Sequence, residues 1–337
     1  MIELVGLAHR SGTQSVYSSH WERWLSWCEE EGIDPFNPSS VDLSNFLAAL
    51  SSQGKASATI RVYRAAICTT LRQVGGPLFQ DDVLIRDTLK GYAEEESRSP
   101  RKLPGWDLDL VLSFLKSSNF EPLTGIDLKS LTLKTTFLLA LASSRRVSEI
   151  NHLSGLPKDV ALDSEGAFCL QFLPEFVAKN QRPGSHSPSI YIPPLVVEGS
   201  DSSADRSLCP VRVLKRYRQA TRSLRGKRRK FLLSYNTSYL KDISVATISR
   251  WIREVIKEAY AAEGRVLSDH NPRAHEVRAW ATSLALAHSC ALEDILQAAF
   301  WRSSSAFINC YLRDVTIRRE DGSSALASCV AAQARLP

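Results

Sequence analysis

Four fragments of the sequence carry residue types and spacings that could do chemistry. The first is SSRRVSEI, Ser143 to Ile150, where Glu149 stands three residues after Arg146. On its own it could be a surface ion pair, since i,i+3 pairs are common on helices. The second is HEVRAWATSLALA, His275 to Ala287, whose His275 and Arg278 at i,i+3 project from one helix face. A solvated helix N-terminus explains that fragment equally well. A zinc-protease reading fails, because H-E is not followed by x-x-H. The third is AAFWRSSSAFINCYLRD, Ala298 to Asp314, with Trp301 and Tyr311, both core aromatics by default. The fourth is Lys179, in the polar loop VAKNQRPGSHSP, by default a solvated lysine.

Each fragment is weak alone, but taken in order Arg146, Lys179, His275, Arg278, Trp301 and Tyr311 resemble the catalytic series of the tyrosine recombinases, and that resemblance implies one reaction, displacement at a phosphodiester. A tyrosine hydroxyl has an ordinary pKa of ~10 and is a weak nucleophile until activated. The charge that develops on the phosphoryl oxygens calls for fixed donors, and guanidinium groups match phosphate geometry with two parallel N–H bonds. No acidic cluster in the sequence suggests paired metal ions, and two arginines would make metals redundant. No cofactor is expected.

The same series resembles the tyrosine recombinase, or phage-integrase, family. RVSEI, Arg146 to Ile150, resembles its first arginine box; HEVRAWATSLA resembles its H-x-x-R box; and WRSSSAFINCYLRD resembles its tyrosine box in a Trp-bearing form. The style is closest to eukaryotic DIRS and Crypton transposon groups. Three departures stand out. SSRR replaces the common T-G-x-R, so Arg145 competes with Arg146, and the step to Glu149 favours Arg146. Trp301 stands where many members have His. The step from Trp301 to Tyr311 is ten residues, where nine is common.

The resemblance implies a site-specific recombinase or integrase that cuts and rejoins DNA through a 3′-phosphotyrosine link. In it Tyr311 is the nucleophile, Arg146 and Arg278 bind the phosphate, and His275 exchanges a proton. Trp301 closes the site, Lys179 is the general acid with Lys158 as fallback, and Glu149 orients a neighbour. It further implies double-stranded DNA as partner and a tetramer on DNA. Two alternatives stay open: a domesticated DNA-binding protein without strand transfer, and a type IB topoisomerase-like enzyme.

The elements that must position these residues can be read from periodicity. Tyr17, Trp21, Trp24 and Cys28 fall on one helix face, with Gly32 as a stop. Ser39 with Asp42 resembles a capping box. Ser57 is expected to cap a third helix with the stripe Ile60, Tyr63, Ile67 and Leu71, and a fourth runs through Val83 to Leu89. These predict a compact helical N-terminal domain over 1–94, and the family resemblance implies that it is a SAM-like, DNA-binding domain. Glu94 to Gly105, EEESRSPRKLPG, reads as a linker, assigned to 95–105. The catalytic domain is expected over 106–337 as a mixed α+β unit, so the fold class is mainly α with a small antiparallel sheet. ALDSEGAFCLQFLP predicts a hairpin turning at Asp163 to Gly166, and SIYIPP another strand. Helices are expected over Val211–Thr221, over Val245–Ala262 and from Ala274 onward. The stretch ALASCVAAQARLP predicts a short terminal helix.

Composition sets the frame. The net charge is +6 over 337 residues. Residues 1–95 hold 8 of the 42 Lys and Arg against 12 of the 36 Asp and Glu, so the basic surplus lies in the larger part. That suits a polyanionic partner. In the acidic first domain Lys55, Arg61, Arg64 and Arg72 form the main basic cluster and are the candidate DNA contacts. Lys227 to Lys230 is a second candidate DNA contact, read equally as a nuclear-localisation patch or a plain surface loop. Seven widely spaced cysteines without C-x-x-C argue against a disulfide framework or zinc site. With no signal peptide and no apolar run near ~20 residues, a soluble intracellular protein is expected, nuclear in a eukaryote.

Overall fold

A computed structural model describes residues 11–95, 104–179, 181, 188–195, 206–236, 242–267, 271–301 and 303–312. The chain divides into two compact units, 1–100 and 101–337.

Among the described residues the first unit has four helices: α1 (Ser11–Glu31), α2 (Ser40–Ser52), α3 (Ser57–Val74) and α4 (Val83–Glu95). The Trp24 and Cys28 face of α1 is fully buried, and Tyr17 and Trp21 lie partly buried along it. Trp24 meets Phe46 of α2 edge-on at 5.1 Å, and Ile60, Ile67 and Leu71 of α3 complete the core. Ser39 and Asp42 form the expected reciprocal cap on α2. Gly32 follows α1 with φ +68, a left-handed conformation that costs glycine nothing. Helix α3 is entered through Ala56, whose side chain makes no cap, and Ser57 is its first helical residue.

The second unit is built around α6. In chain order it has α5 (Leu108–Lys116), α6 (Leu128–Ser143), α7 (Val147–Asn151), a 3-10 turn (Pro157–Asp159), β1 (Val160–Leu162), β2 (Phe168–Leu170), β3 (Ile190–Ile192), α8 (Pro210–Ala220) and α9 (Val245–Ala262), then α10 (Glu276–Ala287), α11 (Leu292–Ala298) and α12 (Ser304–Cys310). The strands form one antiparallel sheet in the order β1-β2-β3, with Phe168 between Leu162 and Ile192. The β1–β2 turn falls where DSEG predicts it. Asp163 Oδ1 accepts from the backbone N–H groups of Glu165 and Ala167, and Gly166 takes φ +82.

Every residue of α6 from Leu131 to Ala140 is buried, including Thr132, Lys134, Thr135 and Thr136. The three threonine hydroxyls donate to carbonyls four residues back, so their polarity is satisfied inside the helix. Lys134, fully buried, donates to the Leu115 carbonyl at 2.8 Å and to Glu121 at 2.6 Å. Arg212 of α8 grips the same carboxylate with two N–H bonds, of 2.7 and 2.6 Å. Burial raises the Glu121 proton affinity, but Arg212 and Lys134 outweigh it and hold the carboxyl below its ordinary value.

Candidate active site

The site is assembled from two chain reversals and one helix start. Helix α6 ends at Ser144, which takes φ +50, and the chain turns at once into α7. Arg146 is the N-cap of α7. Its backbone N–H faces Glu149, and its Nη1 donates to Glu149 Oε1 at 2.7 Å. Glu149 is 1% exposed, so its carboxylate serves the arginines and not the solvent. The Arg146 side chain stays more open, at 20%.

Helix α10 brings the second box. Trp106 Nε1 donates to Glu276 Oε2 at 3.0 Å, and the same oxygen accepts from the Arg273 backbone N–H. These bonds fix the first turn of α10, where His275 is the exposed N-cap and Arg278 lies one turn on. Arg278 is 2% exposed. Its Nη2 donates to the Ala299 carbonyl at 2.8 Å. Its guanidinium carbon lies 4.1 Å from the Trp301 ring centroid and 5.0 Å from that of Tyr311.

Tyr311 ends α12. Its carbonyl accepts from Ser283 of α10, and its ring lies 4.9 Å from Trp301. Ile295, Ala299, Trp301 and Phe307 are the buried core beneath it. One helix, α10, therefore holds Arg278 against the tyrosine segment and anchors that segment's backbone.

The charges form one cluster. Burial first, then Arg146, pushes the Arg278 guanidinium down to about 10, while Tyr311 and Glu149 pull it upward. Among the described residues, Arg278 Nε and Nη1 and Trp301 Nε1 are buried without a hydrogen-bond partner. A buried orphan donor costs about 1–3 kcal/mol, more when charged. Arginine and indole donors gathered in this state suit an anion that presents several oxygens.

Arg146, Glu149, Arg278, Trp301 and Tyr311 are thus brought together, with His275 at the head of the same helix. Lys179 is exposed on the chain that leaves β2, and Lys158 is exposed in the 3-10 turn. No described contact joins either lysine to the cluster. Arg145 escaped the sequence reading, which weighed it only as a rival to Arg146. It is buried, and its Nη1 lies 3.8 Å from the other Glu149 oxygen. The i,i+4 step from Arg145 to Glu149 was the available signal. Among the described residues no three His, Cys, Asp or Glu side chains cluster as metal ligands. No described helix is long and apolar enough to cross a membrane.

The candidate DNA contacts differ in state. Lys55, Arg61 and Arg72 are exposed, whereas Arg64 Nη2 donates to the Phe79 carbonyl at 3.0 Å. In the second basic run, Arg228 bonds the Leu224 carbonyl and Arg229 pairs with Glu175 at 2.9 Å. Lys230 donates to Asn151 and to the Ile243 carbonyl. The expected terminal helix lies outside the described residues.

Neither a family model nor a curated protein sequence matches the chain. Solved structures do. A lambda integrase dimer bound to a COC′ core site matches with TM-score 0.54 and 14% identity, over 92% of this chain and 91% of that one. The Tn1549 transposon integrase, in complex with transposon right end DNA, matches with TM-score 0.55 and 13% identity, over 96% and 95%. The XerH site-specific recombinase, bound to a palindromic difH substrate in a post-cleavage complex, matches with TM-score 0.53 and 15% identity, over 81% and 68%. At these identities the likeness is one of architecture, and it extends across both units: the chain has the tyrosine recombinase fold.

Proposed function

We propose that the protein cuts and rejoins DNA as a site-specific recombinase or integrase, with Tyr311 as nucleophile. The observation that carries this reading is the buried Arg278, whose Nε and Nη1 have no hydrogen-bond partner among the described residues while its guanidinium lies over Trp301 and Tyr311. A structural arginine would be expected to satisfy those donors.

In the proposed step the Tyr311 hydroxyl oxygen bonds to phosphorus and the bond from phosphorus to the 5′ oxygen breaks. The phenol proton passes to His275, and Lys179 supplies a proton to the departing oxygen. Arg146 and Arg278 hold the non-bridging oxygens, Trp301 donates its indole N–H, and Glu149 fixes the Arg146 fork. The bond energy is kept in the 3′-phosphotyrosyl link, so reversal with a 5′ hydroxyl from another duplex completes strand transfer without a nucleotide cofactor.

Lys55, Arg61 and Arg72 contact phosphates in this reading, and Arg64 secures its own loop. Several protomers, four by analogy with the family, assemble on DNA; light scattering with two-site DNA tests that number.

The cleavage chemistry has a direct test. A duplex nicked just beyond the cut site loses a short fragment and traps the intermediate. The expected product is an SDS-stable protein–DNA adduct together with a free 5′ hydroxyl that polynucleotide kinase labels, formed equally in EDTA. A 5′ phosphate on the released strand, or cleavage strictly dependent on magnesium, would overturn the mechanism.

A further inference from the structure

Arg145 is 6% exposed and its guanidinium lies over two phenylalanine rings, 5.9 Å from the centroid of Phe172 and 5.0 Å from that of Phe300. Its Nη1 stands 3.8 Å from Glu149 Oε2, an ion pair beyond hydrogen-bond reach, and its Nε and Nη1 have no hydrogen-bond partner among the described residues. Burial depresses its proton affinity, only partly offset by Glu149. Burying an ion costs several kcal/mol before any pairing. Methionine or leucine would fill the space over the two rings without that cost, so packing alone does not account for a guanidinium here.

Its neighbours show what a guanidinium does here. Glu149 places one oxygen 3.8 Å from Arg145 and the other 2.7 Å from Arg146. Phe300 is held at φ +54, a strained conformation for a bulky residue. It sits between Ala299, whose carbonyl receives Arg278 at 2.8 Å, and Trp301. Phe172 opens the chain that carries Lys179, and stacks through Phe176 onto His152. Arg145 therefore touches the carboxylate that orients Arg146, the residue next to the carbonyl that orients Arg278, and the start of the described chain from Phe172 to Lys179.

We propose that Arg145 is a positioning residue that fixes Arg146, Arg278 and the described chain from Phe172 to Lys179 in one mutual geometry. The proposal rests on the strand-cleavage reading above. It touches no reacting atom; it acts through Glu149, Phe300 and Phe172. With Glu149 counted against them, the three arginines leave a net charge of +2 around the site, which matches a doubly charged pentacoordinate phosphorane better than a singly charged diester.

The test uses the full chain and the nicked duplex, at saturating DNA and in single turnover. Arg145→Met keeps bulk and removes charge. Its cleavage rate is expected to fall roughly 10- to 100-fold, as for displacement of reacting groups by about 1 Å, with the Kd for DNA changed by less than about threefold. Arg145→Lys restores the charge beside Glu149 without the planar guanidinium over the two rings, and should recover part of the loss. Phe300→Leu keeps an apolar side chain at the same backbone angle and removes the ring; it should slow cleavage by roughly 5- to 10-fold. A purely structural role predicts lower Tm with unchanged rate per folded molecule. Arg145→Met that folds and cleaves within about threefold of the parent protein overturns the proposal. If Arg145→Met does not fold, an unchanged rate in Phe300→Leu overturns it instead. Absence of any adduct with the parent protein would remove both the cleavage reading and this inference. A parent that cleaves beside variants that cleave equally well would remove the inference alone.

Discussion

Arg278→Met separates function from stability, because the structure sets the two effects against each other. The folded protein disfavours the charge on Arg278: its depression from the ordinary arginine range to about 10 corresponds to roughly 3 kcal/mol. Methionine relieves that cost. It also loses the bond to the Ala299 carbonyl, about 1.5–3 kcal/mol, and the stacking against Trp301, about 1–2 kcal/mol. These contributions cancel to within about 1–2 kcal/mol, so the variant should melt within a few degrees of the parent protein. Loss of one partner from a buried ion pair elsewhere costs about 3–5 kcal/mol. Cleavage behaves differently. Among the described residues the donors Nε and Nη1 have no hydrogen-bond partner, and removing one preorganised donor costs about 10²–10³ in rate. Thermal melting of the free protein and single-turnover cleavage on nicked DNA read the two effects separately. Near-parental stability with a rate down by at least about 10² is the expected result. A loss of more than about 3 kcal/mol, or a rate within tenfold of the parent protein, would refute the reasoning.

Glu121→Gln leaves Lys134 buried against carbonyls alone and should cost about 3 kcal/mol at neutral pH, measured by urea denaturation. Because the Glu121 carboxyl is held below its ordinary value, its contribution is complete above that ordinary value and disappears as the pH falls through the lower folded value; the variant should lack this acid limb. Lys179→Ala should slow cleavage of ordinary DNA but not of DNA with a 5′-bridging sulfur, which leaves without a proton; rescue in Lys158→Ala instead would move the general acid to that residue. Replacing Arg61 and Arg72 by Ala should flatten the log–log salt dependence of DNA binding, with roughly 0.9 lost per phosphate contact removed. Arg64→Ala should lower stability more than it changes that slope, and an unchanged slope in the double variant would take α3 off the DNA.

Features fixed by neighbours in sequence were legible before the structure. The Ser39 and Asp42 cap, the reversal at Gly32 and the DSEG hairpin each need only a few adjacent residues. The His275 to Arg278 spacing likewise placed both residues at one helix start. It could not show that Arg278 is buried while His275 is exposed, because that depends on the Trp301 and Tyr311 segment returning over α10. Long-range partners hid the rest. Lys134 lies in a run that reads as an ordinary helix, yet it is buried by a carboxylate 13 residues earlier. The run Lys227 to Lys230 reads as a free basic patch, but three of its four cations bond the protein's own carbonyls, Asn151 or Glu175. In sequence Arg145 is only a rival to Arg146 for one role; its own surroundings depend on Phe172 and Phe300, 27 and 155 residues away.

The central claim is that Tyr311 attacks a DNA phosphate, and one measurement addresses it most directly. The parent protein and Tyr311→Phe are incubated with nicked duplex, separated under denaturing conditions, and the adduct is digested and mapped by mass spectrometry. The parent protein should yield a nucleotide-bearing peptide modified at Tyr311. The variant should bind the same DNA and yield no adduct. An adduct that persists in Tyr311→Phe, or one mapped to another residue, would contradict the assignment.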